Sequence, residues 1–230
     1  MTEAVLDETP LVEVAVWDAA VRIVHWLMVV LLVALLATGL AGNDWLVWHM
    51  RAGYSMLTLV LFRIAWGFCG SRNARFRSFV RGPRAAGRYA RALARRTHEW
   101  HATHNPLGAW MVVALLAALL IQCSLGLFTN DDVLYEGPLA KLVTKDLSDT
   151  LSSVHRRGWW VIAALALVHI GAVAAYYAFR RDNLVRPMVT GRKRLPANAG
   201  DPSLASASMA FALGVLAVCV LAVWWLVTRL

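Results

Sequence analysis

Acid is scarce in this chain. Its 230 residues carry 14 aspartates and glutamates against 23 lysines and arginines, a formal net charge of +9. Charge of either sign is thin, at 16% of residues, while 59% are hydrophobic, which excludes an ordinary soluble domain of this length. Cysteine is sparse as well: Cys69, Cys123 and Cys219 lie in or at the ends of apolar runs and form no CxxC pair. That leaves a disulfide framework, structural zinc and covalent c-type haem attachment unsupported. No cleavable leader is expected, because the N-terminus is acidic (Glu3, Asp7, Glu8, Glu13) and the first apolar run is too long and lacks a positive flank. Internal repeats and low-complexity tracts are missing too. No carboxylate falls in the middle of a long apolar run, which argues against a proton relay inside a membrane.

What the chain does have is five apolar stretches long enough to span a bilayer. They run over residues 20–42, 48–67, 106–128, 158–179 and 205–228. The expected fold class is all-α: an integral membrane helical bundle with a four-helix core and a fifth, C-terminal transmembrane helix. The expected division is a cytoplasmic N-terminal segment (1–19), a core (20–180), a basic cytoplasmic connection (181–204) and the additional helix (205–230). Eleven tryptophans suit a protein with two water–lipid interfaces. The positive charge sits in two connections, one with Arg72, Arg75, Arg77, Arg81, Arg84, Arg88, Arg91, Arg95 and Arg96, the other with Arg180, Arg181, Arg186, Arg192, Lys193 and Arg194. With five spans both fall on one side with the N-terminus, and the positive-inside rule makes that side cytoplasmic. The C-terminus is then periplasmic. The opposite side carries a short connection (43–47) and one rich in acids (Asp131, Asp132, Glu136, Asp146, Asp149). Residues 72–96 are predicted to form an amphipathic surface helix, with membrane lipid head groups as partner and Arg77, Arg81, Arg84, Arg88, Arg91 and Arg95 on one face. Residues 196–208 read as a polar linker. Nucleic acid is not an expected partner.

Seven histidines are present, and four belong to spans: His25, His49, His155 and His169. His155 and His169 lie fourteen residues apart. On one helix that step returns to within about 40° of its starting direction and rises roughly 21 Å. One helix therefore holds two imidazoles on one face, one near each membrane surface. The topology gives each histidine a depth. His49 and His155 fall on the periplasmic side, His25 and His169 on the cytoplasmic side, so two pairs follow: His49 with His155, and His25 with His169. Singly, a histidine in a span is most often an interhelical hydrogen-bonding residue. Four that resolve into two level pairs point instead to axial ligands of two b haems. Ligands at two depths do not converge as zinc requires, and two-histidine ligation leaves no open position on iron, so it serves electron transfer. No residue is assigned a catalytic role.

The same step of fourteen reaches Gly39 from His25 and Arg63 from His49. Gly39 is expected to let the outer porphyrin approach the first helix. Arg63 is expected near the inner haem, pairing with a propionate or snorkelling to the head groups. Gly53, one turn after His49, is likewise expected on the haem-facing side. His98, His101 and His104 precede the third span. Their three-residue spacing is compatible with a metal, and the plain reading is an interfacial segment, with Asn105 and Pro106 starting the next helix.

Several stretches together resemble the bacterial cytochrome b561 and nickel–iron hydrogenase cytochrome b family. They are Val16-Trp17-Asp18 with Arg22 and His25-Trp26; Trp48-His49 with Gly53-Tyr54; Arg63-Ile64-Ala65-Trp66-Gly67 with Ala74-Arg75-Phe76; and His104-Asn105-Pro106-Leu107-Gly108. His155, His169, Asn183-Leu184-Val185 and Met188-Val189-Thr190-Gly191 complete the match, which covers about residues 14–193. The resemblance implies a four-helix core holding two b haems on His25, His49, His155 and His169. It implies electron transfer in the bacterial inner membrane between a periplasmic partner (a c-type cytochrome or an oxidoreductase subunit) and quinone or quinol. Two alternatives follow from it: a membrane-anchor cytochrome b subunit of a hydrogenase-like complex, and a stand-alone superoxide:quinone oxidoreductase. The fifth helix is an addition to the family core.

Overall fold

Asp18 begins the first long helix. Its backbone is extended and its carboxylate accepts the Val21 N–H at 2.7 Å, so the chain turns helical at once as α1 (Ala19–Ala41). Gly42, at φ 94°, ends it, and a 3-10 turn at Asn43–Trp45 returns the chain as α2 (Leu46–Cys69). Asn105 repeats the capping device for α5 (Pro106–Gly126): its side chain accepts the Gly108 N–H at 2.8 Å, and proline takes the first turn. Thr144 caps α6 (Lys145–Arg180), which runs unbroken for 36 residues until Arg181 turns left-handed at φ 52°. The computed structural model describes residues 10–95, 101–197 and 207–229, and closes with α8 (Met209–Arg229). Helices α1, α2, α5, α6 and α8 are each long and apolar enough to cross a membrane, so the chain is a multi-pass membrane protein with the five expected spans.

Helix α6 is longer than its apolar stretch. At about 1.5 Å per residue it measures roughly 54 Å, against roughly 30 Å for a bilayer core. The polar first turns, from Lys145 onward, therefore extend beyond the apolar layer.

The arginine-rich segment departs from the expected single helix. A 3-10 turn (Arg72–Ala74) leads into the short α3 (Phe76–Phe79), and α4 (Pro83–Ala94) starts afresh after Gly82. Pro83 lacks an N–H and restricts the residue before it, so a helix cannot run through this point. Arg84, Arg88, Arg91 and Arg95 still share an exposed face, while Arg77 and Arg81 belong to the preceding turns.

A second addition is a two-stranded antiparallel sheet. β1 (Leu11–Ala15) pairs with β2 (Arg192–Pro196), in register from Leu11 opposite Pro196 to Ala15 opposite Arg192. The short α7 (Val185–Thr190) leads into β2, and Gly191, at φ 81°, makes the turn between them. The Gly191 carbonyl accepts the N–H groups of Val16 (2.8 Å) and Trp17 (3.2 Å). Arg22 donates to the Val189 carbonyl, and Trp26 Nε1 donates to that of Met188 at 3.2 Å. Lys193, its side chain 7% exposed, pairs with Asp182 at 2.8 Å and donates to the His101 carbonyl. The chain entering α1 and the chain leaving α6 are thus clamped together at the arginine-rich end.

Packing centres on α2. Helix α1 lies along it, α8 and α5 cover other faces, and α6 packs on α5, while α1 and α6 at most graze one another. Fully buried Met56, Val60, Phe62 and Trp66 line α2, and Phe211 of α8 reaches Trp66 with ring centroids 5.7 Å apart. The apolar faces of α1 and α6 are left outward, as lipid-facing helices require.

Candidate functional site

His49, in the first turn of α2, and His155, on α6, face each other. Their ring centroids are 6.1 Å apart and their planes stand at 84°. Two metal–nitrogen bonds of roughly 2 Å laid end to end take about 4 Å of this separation. The two imidazoles are therefore near enough that both would hold one metal atom if each turned a ring nitrogen to it.

Each of these rings is oriented by a backbone carbonyl of a neighbouring helix. His49 Nδ1 lies 3.1 Å from the Leu35 carbonyl on α1, with Thr38 Oγ1 at 3.3 Å. His155 Nδ1 lies 3.0 Å from the Gln122 carbonyl on α5. A carbonyl only accepts, so both Nδ1 atoms carry the proton and both Nε2 lone pairs stay free. That is the usual arrangement of a metal-binding histidine.

Glycine makes the approach possible on both sides. A Cβ at Gly39 would sit 3.1 Å from His49 Cε1, and one at Gly126 would sit 3.0 Å from His155 Cε1. Gly39 thus fits against the imidazole itself. Gly53 has nothing within 4 Å, so it borders open space. Gln122 also donates through Nε2 to the His155 carbonyl at 2.8 Å, and a Cβ at Gly158 would collide with its Oε1 at 2.2 Å. Gly126, Gln122 and Gly158 are the members of this site that sequence reading passed over. Gln122, a lone amide inside an apolar run, was the available signal.

The second pair is looser. His25 on α1 and His169 on α6 are within electrostatic reach of one another but make no ring contact. His25 Nδ1 is enclosed without a hydrogen-bond partner. Arg63 on α2 lies beside this level, 5% exposed, and donates to the Ala74 carbonyl at 3.4 Å. His104, just ahead of α5, sits with its ring between those of Trp17 and Phe79, each 4.8 Å away. Burial, with Arg63, His169 and His25 nearby, pushes its pKa down to about 3. His101 makes a ring contact with Tyr89 at 5.2 Å. Among the described residues no group of histidine, cysteine and carboxylate side chains converges as a metal cluster, and His98 lies outside them.

Between the two levels runs an apolar cluster. Ile162 lies seven residues from His155 and seven from His169, and it packs with Met56, Val60 and Leu119, all four buried, against Met28, Leu31 and Leu35 of α1.

A hub of hydrogen bonds supports the inner level. Asp18 accepts not only the Val21 N–H but also Trp66 Nε1 at 3.1 Å and the Ser71 hydroxyl. The Tyr89 and Tyr176 hydroxyls are 2.7 Å apart, and Asn105 donates to Tyr176 at 2.8 Å, which fastens α4, α5 and α6 together. Facing imidazoles with free Nε2 atoms, open space beside them and enclosed unpartnered nitrogens below suit a flat, dicarboxylate metal macrocycle such as haem.

At the far end, Asp131 accepts the N–H groups of Tyr135 (2.8 Å), Val133 (3.0 Å) and Leu134 (2.9 Å), which holds its carboxyl below the usual range. Lys145 bridges Asp132 and Asp149. Much of the acid in this loop is therefore engaged within it, and Glu136 and Asp146 stand exposed.

Comparison with known proteins gives a consistent result. The family model for prokaryotic cytochrome b561 matches residues 16–191. A probable Ni/Fe-hydrogenase 1 B-type cytochrome subunit of Escherichia coli (strain K12) is 25% identical, over 76% of this chain and 88% of its own. A probable Ni/Fe-hydrogenase B-type cytochrome subunit of Rhodobacter capsulatus is 24% identical, over 78% and 81%. One from Bradyrhizobium diazoefficiens is 22% identical, over 79% and 86%. No solved structure matches.

Proposed function

The chain belongs to the prokaryotic cytochrome b561 family, membrane cytochromes that carry electrons on haem b, and from that premise we propose that it holds two of them, one above the other. His49 and His155 hold the outer haem, His25 and His169 the inner one. Gly53 borders the outer group, Gly39 positions His49, and Arg63 serves the inner group. The observation that carries the reading is the facing of His49 and His155, each with Nδ1 tied to a carbonyl of an adjacent helix. When bound, each haem iron accepts and returns one electron by changing between ferric and ferrous.

The protein's own part is to fix the imidazoles, keep water from the iron and separate the two levels by a dry layer. Two axial histidines leave iron no place for a substrate, which suits electron transfer. In this reading the arginine-rich end is cytoplasmic, the C-terminus is periplasmic and the membrane is the bacterial inner membrane. Electrons pass between a periplasmic partner, a c-type cytochrome or an oxidoreductase subunit, and the quinone pool. Residues 20–180 form the haem core, residues 1–19 are the cytoplasmic N-terminal segment and residues 181–204 the basic cytoplasmic connection, with β1, α7 and β2 making the clamp between them. The exposed arginines of α4 rest on anionic lipid head groups.

A second reading, the cytochrome b subunit of a hydrogenase-like complex, is favoured by the description shared by the three relatives above. The two share their haem chemistry and differ in a permanent partner. Co-purification from native membranes in mild detergent separates them.

His169→Ala tests the core of the proposal. The variant is expected to keep one of two haem signals in the reduced absorption spectrum. Two surviving haems would overturn the assignment.

A further inference from the structure

The inner histidine level holds more polar groups than two axial ligands need. Arg63 keeps its charge at any physiological pH and is nevertheless 5% exposed. A buried charge needs an answering one. Asp18 is the carboxylate acting on it electrostatically, but the oxygens of Asp18 are taken by Val21, Trp66 and Ser71. Among the described residues Arg63 has no ion pair, and its one hydrogen bond, to the Ala74 carbonyl, is long at 3.4 Å. Its guanidinium carbon stands 5.4 Å from the centre of the Phe76 ring. Beside that wall, the Nε of Arg75 is enclosed without a partner. Across from it, the Nδ1 of His104 is enclosed without a partner, and the ring is held by Trp17 and Phe79. Arg63 from α2 and His104 from the segment before α5 therefore lie within electrostatic reach of one another at this level, one with a single long hydrogen bond and the other with none at Nδ1.

We propose that Arg63 and His104 form the seat of the propionate carboxylates of the haem at the His25/His169 level. The inference rests on the two-haem reading above. Haem b is an apolar disc with two carboxylates on one edge, and that edge cannot be left in hydrocarbon. It turns to the nearer polar border, which for this level is the arginine-rich end. A guanidinium grips a carboxylate through two parallel N–H bonds, and a neutral imidazole adds one more. The same contact supplies the anion that buried Arg63 lacks. Both side chains act through the propionates rather than at iron, so they are positioning residues.

The test is a redox titration of the purified, fully haem-loaded protein, following each haem by its absorbance. Arg63→Gln is expected to keep both haems, because no axial ligand is touched. One midpoint should fall, since losing a nearby positive charge favours ferric over ferrous iron. A tenfold change in that ratio corresponds to about 59 mV for one electron. Arg63→Lys should recover most of the shift, and His104→Phe should move the same haem the same way by less. Unchanged midpoints in Arg63→Gln, or equal shifts of both haems, would overturn the proposal.

Should Arg63→Gln fail to assemble, the unaltered chain reloaded with haem dimethyl ester serves. With its carboxylates masked, the ester should bind one of the two sites about tenfold more weakly, having lost charge-assisted bonds. Equal uptake at both sites, at unchanged midpoints, would overturn it as well. An unaltered protein with a single haem fails the two-haem reading instead, and the haem count alone tells the two failures apart.

Discussion

Gly39→Ala is the smallest change that separates the two histidine levels. A methyl group at residue 39 would lie 3.1 Å from Cε1 and 3.2 Å from Nδ1 of His49, where ordinary contact begins at 3.4 Å. The imidazole has to retreat by a few tenths of an ångström. Gly39, Leu35 and Thr38 all belong to α1, so the retreat carries Nδ1 away from both of its partners at once. Its distance to the Leu35 carbonyl is already 3.1 Å, near the end of the normal range of about 3.2 Å. The bond that fixes the tautomer is then lost. One neutral hydrogen bond is worth about 1 kcal/mol, and losing the partner that orients a metal-bound histidine costs roughly 10–100-fold in affinity. About tenfold weaker haem binding is expected at the His49/His155 level. The other level lies roughly 21 Å away along α6 and should bind as before. Titrating haem into the apoprotein in detergent and resolving two binding steps reads this directly. Equal weakening of both steps, or of neither, would refute the account of how His49 is held.

Asp18→Ala removes a helix cap, worth about 1 kcal/mol, and leaves Trp66 Nε1 and the Ser71 hydroxyl, 0% and 1% exposed by residue, without an acceptor. Each orphaned donor costs about 1–3 kcal/mol, so a loss of about 3 kcal/mol or more is expected in reversible denaturation; a wild-type midpoint would contradict it. Asp131 is held below its usual range by three backbone N–H groups, so its contribution is present above the unfolded value of about 3.9 and disappears as pH falls through the depressed one. Protection of the Val133, Leu134 and Tyr135 amides against hydrogen exchange should therefore persist to about pH 4 and fall only below it, and loss near neutrality would count against this hub. Glu136 and Asp146 are the exposed acids of that end not engaged by Lys145, so electron exchange with a basic partner should slow with added salt and slow less in a Glu136→Gln, Asp146→Asn chain. A rate indifferent to ionic strength in both would remove charge from the docking step.

The spans were legible because a bilayer imposes length and apolarity on each helix separately, and Asn105-Pro106 announced the start of α5 through local chemistry alone. That His49 and His155 share one level was legible because the five-span topology gives each histidine a depth, and the fourteen-residue step on one helix relates His155 to His169. The grip on those rings was not. Gly126 and Gln122 act on His155 only once α5 and α6 lie side by side, and a carbonyl partner leaves no mark in a sequence. The pairing of β1 with β2 joins opposite ends of the chain, so its five-residue strands carried no local signal. Gly82-Pro83 did carry one, and the regular spacing of arginines on both sides drew attention away from it. The extra turns of α6 were missed because residues 145–157 lack an apolar run, although nothing in them breaks a helix.

The apolar cluster of Met56, Val60, Leu119 and Ile162 offers a hydronium ion no strong hydrogen-bonding partner among its side chains. In the two-haem proposal, an electron that passes between the levels moves net charge through the insulating part of the membrane. The two histidine heights on α6 are roughly 21 Å apart, about two thirds of the hydrocarbon thickness. A full crossing works with or against about 2.3 kcal/mol per 100 mV, so this one feels about 1.5 kcal/mol. If the two-haem proposal holds, membrane voltage is a term in the driving force of that transfer, and energising or discharging the membrane should tilt the balance between the two levels.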